Sequence, residues 1–203
     1  QTGEFVELVL ALRKTYNTTP LSFYGFDIEQ TKETLPIRDQ LMAKQVIEYV
    51  SSDPAIKAFA WAHNAHVKRA SKVPAIPMGH YLNEHFGNKY LAIGLLFGSG
   101  NFSSTIIAEE HPDWTNRKLD TITVDDIPKE FLEHQLDTLG AKPYYFSISD
   151  FTSPYLADSF WARSFGWGLK LSQLNQQAER IIPDKDFDMI VYYPKSTITK
   201  PLE

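Results

Sequence analysis

The stretch "YLAIGLLFG" at residues 90–98 is almost entirely apolar and ends at a glycine. A second run of the same kind, "AIKAFAWA" at residues 55–62, lies between two segments with helical spacing. Short, continuous apolar runs are typical of strands that are covered on both faces, as in parallel sheets flanked by helices. The two runs therefore predict the central strands of an α/β sheet.

The segments on either side of these runs alternate between helical and strand patterns. Helices are predicted at residues 4–16, 34–50, 78–87 and 129–140, and further strands at 21–28, 143–149 and 187–193, with weaker strand candidates at 104–110 and 119–127. Strands that alternate with helices of ten or more residues indicate βαβ units. We therefore expect a single three-layer α/β domain over residues 1–203, with a mostly parallel sheet flanked by helices.

Composition excludes several classes of protein. The chain has 203 residues, 43% of them hydrophobic, and its formal net charge of −5 argues against a nucleic-acid binder, which needs a basic surface. No apolar run approaches the roughly 20 residues of a membrane-spanning helix, so no membrane partner is expected. We expect a soluble protein of the cytoplasm or periplasm. The sequence does not choose between these compartments and does not indicate an oligomeric state.

Two histidines and an asparagine follow the predicted strand 55–62, in "FAWAHNAHVKRA" at residues 59–70. In an open parallel sheet, ligands bind beyond the carboxyl ends of the strands. His63, Asn64 and His66 are therefore expected at that edge, together with Asp27 at the end of strand 21–28 or with residues near Gly98. The histidines have three possible roles: acid–base or oxyanion chemistry, metal binding, or a hydrogen bond that ties down a loop.

The metal interpretation rests on the spacing of His63 and His66. A His-x-x-His pair places both rings on one face of a helix, but on a continuing strand the two rings point to opposite faces. Zinc typically takes at least three protein ligands, and no third ligand is obvious nearby in the sequence. No cofactor is therefore assigned, although a divalent metal stays open.

The combined motifs of this region resemble the erythromycin esterase family. The matching segments are "WAHNAHV" at residues 61–67 and "PMGHYLNEHFGNKYLAIGLLFGSGNF" at residues 77–102. Flanking stretches also resemble the family, including "FYGFDIE" at 23–29, "IRDQLMAKQVIEYV" at 37–50 and the segment from residue 187 to the end. The resemblance thus covers nearly the whole chain, and it is specific because several motifs occur together.

The resemblance implies a bacterial carboxylic-ester hydrolase, of a family associated with antibiotic resistance and with succinoglycan-biosynthesis-like proteins. In such an enzyme, a histidine base and glutamates activate water for attack on an ester or lactone, here a small-molecule substrate. The carried-over assignments are His63 and His66 as catalytic residues and Asn64, Asp27, Met78 and Gly98 as substrate-binding residues. Macrolides are a poor match as substrates, because a shared fold does not imply a shared substrate.

Two departures from the family pattern shape the functional expectation. The family's glycine-glutamate-x-x-histidine segment, whose histidine is taken as the general base, has no match in this sequence. The family's long helical insertion is also not seen, because only residues 29–37 separate the two flanking motifs. We therefore expect a domain that is incomplete at its amino-terminal end. The 203-residue chain alone is expected to hydrolyse esters poorly, whereas a longer parent chain would be active.

Two other functions stay open. One is a relative that binds a ligand without turning it over, since the base-bearing segment is not seen. The other is an interaction domain whose aromatic patch, formed by Trp161, Phe165 and Trp167, docks a partner. Aromatic side chains are more often buried, so a core-capping loop is the simpler interpretation of that stretch.

Overall fold

The chain is described here by a computed structural model, which covers residues 3–16, 21–70, 76–107, 117–151, 154–166 and 168–199. The α-helices are α1 (Gly3–Thr15), α2 (Arg38–Ser51), α3 (Asn64–Val67), α4 (Met78–Phe86), α5 (Leu132–Asp137) and α6 (Pro183–Asp186). The strands are β1 (Ile93–Ile107), β2 (Arg117–Val124), β3 (Tyr144–Ser147), β4 (Phe160–Arg163), β5 (Ala178–Ile181) and β6 (Met189–Ser196). Short 3₁₀ helices lie at Leu35–Ile37, Gly87–Lys89, Ile148–Asp150, Pro154–Ala157 and Leu171–Gln176.

The main sheet is built around the long strand β1. Its first part pairs in parallel with β6, from Ile93 opposite Met189 to Gly100 opposite Ser196. From Gly100 onward β1 also pairs with the antiparallel strand β2, and β3 pairs antiparallel with β6 on the other side. The strand order is therefore β2-β1-β6-β3, and a separate antiparallel pair is formed by β4 and β5.

Two clusters of buried apolar side chains hold these elements together. The first, the helical core, joins α2 to α4, because the apolar residues of each helix recur at helical spacing and face each other. The second, the sheet core, covers the main sheet with α5 and the loops beside it. The helical core comprises Met42, Ala43, Val46, Met78 and Leu82. The sheet core comprises Ala92, Leu96, Leu132, Leu136, Ile148, Ala162, Ile181, Phe187, Ile190 and Tyr192.

The two cores meet at a pair of partly buried residues, Val67 and Tyr90, which pack against both. The Tyr90 hydroxyl donates a hydrogen bond to the Val67 carbonyl oxygen over 2.5 Å. Residues 63–67 therefore lie where the helical core joins the sheet core.

The mixed α/β character is confirmed, but the three-layer, mostly parallel arrangement is not. Only one of the three pairings in the main sheet is parallel. The expected strands at residues 21–28 and 55–62 are not strands in the described structure. A strand requires a hydrogen-bonded neighbour, and Phe59 and Trp61 are 77% and 68% exposed rather than covered on both faces. That residues 1–203 form one domain stays a prediction.

Candidate functional site

Asn64 fastens the histidine-bearing turn to the main sheet. Its side-chain Nδ2 donates to the Leu95 carbonyl oxygen over 2.7 Å, and the Leu95 amide donates to Asn64 Oδ1 over 3.0 Å. The main-chain N–H and C=O of one strand residue point to the same side of the strand. One carboxamide can therefore pair with both groups, as a neighbouring strand would. This contact, and not a strand at 55–62, places the turn beside the early part of β1.

His63 caps the short helix α3 and is half-buried. Its Nδ1 accepts a hydrogen bond from the Ala65 amide over 3.1 Å, so the proton of the neutral ring is assigned to Nε2. Burial is the main cause that lowers the pKa of His63 below its ordinary value of 6.5, while the charge of Glu179 and the main chain of Phe165 act in the opposite direction. His63 is therefore a neutral imidazole at pH 7.

His66 is oriented by a carboxylate. Its Nδ1 lies 2.9 Å from each of the two Asp39 oxygens, and Asp39 Oδ2 also accepts from the Met78 amide over 2.8 Å. His66 Nε2 lies 3.4 Å from Nη1 of Arg38, a distance at the long limit of a hydrogen bond. A carboxylate on Nδ1 fixes the tautomer and leaves Nε2 as the nitrogen that can accept a proton.

Arg38 links Asp27 to the same group. It donates from Nε and Nη2 to the two carboxylate oxygens of Asp27, each over 2.9 Å. The hydrogen bond from Arg38 is the main cause that lowers the pKa of Asp27. Asp27 therefore contributes to the site through Arg38, whose guanidinium it holds beside His66.

A cavity of about 370 Å³, hereafter the His63 cavity, lies between this turn and the sheet. Its walls combine aromatic and aliphatic side chains with a few polar groups, as small-molecule sites do. The lining residues are Trp61, Ala62, His63, Asn64, Leu95, Leu96, Phe97, Glu133, Arg163 and Phe165. His63 and Asn64 thus share a cavity, and His66 lies behind them, with its ring centroid 6.5 Å from that of His63.

Glu133 and Arg163 are buried polar residues of this cavity that the sequence analysis did not single out. The Glu133 side chain is 0% exposed, and its Oε1 accepts a hydrogen bond from the Arg163 amide over 2.8 Å. Its Oε2 is buried and has no hydrogen-bond partner among the described residues. Burial is the main cause that raises the pKa of Glu133. The signal in the sequence was an acidic residue on the apolar face of a predicted helix, next to Leu132 and three positions before Leu136.

The guanidinium of Arg163 is held by main-chain oxygens. Its Nη1 donates to the Gly98 carbonyl and its Nη2 to the Asp126 carbonyl. The rings of Phe97 and Phe165 lie 5.8 and 5.7 Å from the guanidinium carbon, within cation–π range. The buried positive charge therefore faces the aromatic wall of the cavity.

Two predicted substrate-binding residues, Met78 and Gly98, do not line the His63 cavity. The Met78 side chain is 0% exposed in the helical core, and only its amide reaches the site, through Asp39. Gly98 is packed so closely that a Cβ atom there would lie 2.5 Å from the Tyr192 hydroxyl. Its carbonyl oxygen, which holds Arg163, connects it to the cavity.

The aromatic stretch considered as a docking patch is partly built into the structure. Phe165 stacks on Phe102, with ring centroids 4.8 Å apart, and lines the His63 cavity. Trp161 lies in β4, and the guanidinium carbon of Arg180 lies over its ring, 4.5 Å from the ring centroid. Trp167 lies outside the described residues.

The described residues contain no group of three or more histidine, cysteine, aspartate or glutamate side chains arranged to hold a metal ion. Within the same ranges, no helix is both long and apolar enough to cross a membrane.

The family model for erythromycin esterases matches residues 29–196, which contain the turn and every residue of the His63 cavity. The chain belongs to the erythromycin esterase family. No curated protein sequence matches it significantly.

Three solved structures resemble the chain in fold. A succinoglycan biosynthesis protein is 18% identical, with a TM-score of 0.64 over 85% of this chain and 41% of its own. A Bacillus cereus protein is 15% identical, with a TM-score of 0.66 over 86% of this chain and 42% of its own. A mutant of the erythromycin esterase EreC in its open conformation is 20% identical, with a TM-score of 0.52 over 94% and 42%. The chain thus spans about two-fifths of each matched structure, and these similarities establish the fold alone.

Proposed function

We propose that these residues form the histidine-bearing part of a site that hydrolyses a small carboxylic ester or lactone. The observation that carries the proposal is the combination of His63 in a partly apolar cavity with His66 held by Asp39. Membership of the family supports an ester as the substrate class. The cavity volume of about 370 Å³ is near the lower end of the roughly 300–1,000 Å³ of small-molecule sites, which favours a small substrate.

In the proposed reaction, water attacks the carbonyl carbon, and a tetrahedral oxyanion forms as a base removes a proton from the water. Collapse of this intermediate breaks the acyl C–O bond, and the proton passes to the departing alkoxide. His66 can take part in proton transfer through Nε2, because Asp39 holds the proton on Nδ1. Since His66 does not line the His63 cavity, this transfer would pass through a bridging water. His63 orients the bound acyl group from the cavity wall. A positioned acid–base group typically contributes about 10²–10⁴-fold to the rate.

The test uses the natural polypeptide that carries residues 1–203, at whatever length it occurs, with a panel of aryl esters and lactones. We expect His66→Ala to lower kcat by at least about tenfold. His134→Ala, on the helix α5 that also carries Glu133, serves as the matched histidine control. Equal turnover by the His66→Ala variant and the wild type would refute the assignment.

Ligand binding without turnover is the second candidate. It is favoured by the internal pairing of polar groups at the site, since both amide atoms of Asn64 bind Leu95 and both carboxylate oxygens of Asp27 bind Arg38. Binding of an ester to the wild type with no product release over buffer would support this alternative and reject hydrolysis.

A further inference from the structure

One polar atom beside the His63 cavity has no hydrogen-bond partner among the described residues. Glu133 Oε2 is buried and has no hydrogen-bond partner among the described residues, although the Glu133 side chain lines the cavity. Buried polar atoms without a partner are rare in folded proteins, and each is a candidate for a ligand contact.

The surroundings of Glu133 explain why Oε2 accepts no hydrogen bond from a neighbouring side chain. Oε1 already accepts the Arg163 amide, and the hydrogen bonds of the Arg163 guanidinium go to the Gly98 and Asp126 carbonyls instead. On the sheet side, the Tyr192 hydroxyl donates to Asp137 Oδ1 over 2.9 Å and lies 3.3 Å from the main-chain oxygen of Glu133. Among the described residues that line the cavity, the remaining titratable side chain is that of His63.

We propose that the Glu133 carboxyl binds a ligand carbonyl in the His63 cavity by donating a hydrogen bond from Oε2 to the carbonyl oxygen. Burial supports the acid form of this group, because it raises the pKa of Glu133 more strongly than the Arg163 charge and the main-chain amides of Glu133 and Arg163 together lower it. A carboxyl kept neutral by an apolar site can donate to a carbonyl or to a developing oxyanion. Since Oε2 is covered, the carboxyl has to turn toward the cavity as the ligand enters.

The walls of the cavity indicate which carbonyl compounds fit. Trp61, Phe97 and Phe165 provide an aromatic lining, and Leu95 adds an aliphatic one. A small aryl ester or aryl ketone would place its ring against this lining and its carbonyl toward Glu133. The choice of an ester as the ligand rests on the proposed function. The binding of a carbonyl group by Glu133 does not depend on it.

The probe is acetophenone with a ¹³C-labelled carbonyl, which binds as a carbonyl compound but cannot be hydrolysed. It is added to the natural polypeptide, and the infrared carbonyl stretch of the bound ketone is recorded. We expect a shift to lower frequency in the wild type and in Glu133→Gln, whose amide retains a donor while its oxygen can still accept from Arg163. In Glu133→Met the shift should disappear.

A pH series separates the donor from a merely structural carboxyl. As the pH rises through the pKa of Glu133, the wild type should lose the ketone shift, whereas Glu133→Gln should retain it. Repeating the pH series in His63→Gln tests whether titration of His63, and not of Glu133, causes the loss of the ketone shift. This comparison needs only the wild type and conservative variants, so it stays valid if Glu133→Met fails to fold.

The outcomes distinguish this inference from the proposed function. In an ester assay, loss of an oxyanion donor typically lowers kcat by about 10²–10³-fold, which we expect for Glu133→Met. Absence of ester hydrolysis, with a ketone shift that depends on Glu133, would reject hydrolysis and retain the inference. A ketone that does not bind, or whose shift is the same at every pH in wild type and Gln variant, would overturn the inference.

Discussion

Replacement of Asn64 by alanine should destabilise the chain by removing both hydrogen bonds to Leu95. Each such bond contributes a net free energy of about 0.5–1.5 kcal/mol, so the two together give about 1–3 kcal/mol. Leu95 is 46% exposed, and water can replace part of the lost bonding, which favours the lower half of this range. For a domain of this size, about 1.5 kcal/mol corresponds to a decrease in Tm of about 3–6 °C.

Urea unfolding followed by circular dichroism measures this change, with Asn88→Ala as the control, because Asn88 is exposed in a short 3₁₀ helix. Asn64→Asp is a sharper variant of nearly the same shape. It keeps an acceptor for the Leu95 amide but places a carboxylate oxygen against the Leu95 carbonyl, so it should destabilise at least as much as alanine. Equal stability of Asn64→Ala, Asn88→Ala and the wild type would refute a stabilising role for the two Asn64–Leu95 hydrogen bonds.

Three further predictions concern the surroundings of the turn. Gly79→Ala should lower the unfolding free energy by about 1–3 kcal/mol, because its Cβ would lie 2.2 Å from the Val67 carbonyl oxygen at the end of α3. A Cβ at Gly140 meets nothing within 4 Å, so Gly140→Ala serves as the control. Asp39→Asn should change the tautomer of His66, read from its ¹⁵N chemical shifts; unchanged shifts would contradict the orienting role. The pKa of His63 is lower in the folded protein than in the unfolded chain, so the folded state binds fewer protons there around pH 6.5 and below. The unfolding free energy of the wild type, relative to that of His63→Gln, should therefore fall as the pH drops below about 6.5. A difference in unfolding free energy that is independent of pH would count against this.

Helices α1, α2, α4 and α5 could be predicted because their apolar residues recur at helical spacing within one continuous segment, whereas the four-residue helices α3 and α6 were not predicted. Met42 and Val46 in α2, and Met78 and Leu82 in α4, show this period directly. The direction of strand pairing is different, since it depends on contacts between distant segments. Apolar content at residues 90–98 and 187–193 located two strands, but it could not reveal that β2 and β3 both run antiparallel to their neighbours.

The site was predictable only where its residues are close in sequence. His63, Asn64 and His66 lie within one turn, so their proximity follows from the chain itself. Asp39 and Glu133 reach the same region from helices 27 and 67 positions away from His66, and only the packing of those helices brings them there. The strand predicted at residues 55–62 was wrong because apolar content does not guarantee burial or a hydrogen-bonded neighbour, and Phe59 and Trp61 are largely exposed in the structure.

Because the interior is divided into two cores, local unfolding of one core could disable the site while the other core stays folded. His66 is held by Asp39, on the helix that begins the helical core, while Asn64 is held by Leu95 in the main sheet. Proteins open in cooperative units whose free energies lie below that of global unfolding. If α2 and α4 separate from Val67 and Tyr90, the histidine turn loses one of its two supports while the sheet remains intact. The working temperature range of the site is then limited by the weaker of the two units, and a Tm that reports mainly on the sheet would overestimate it.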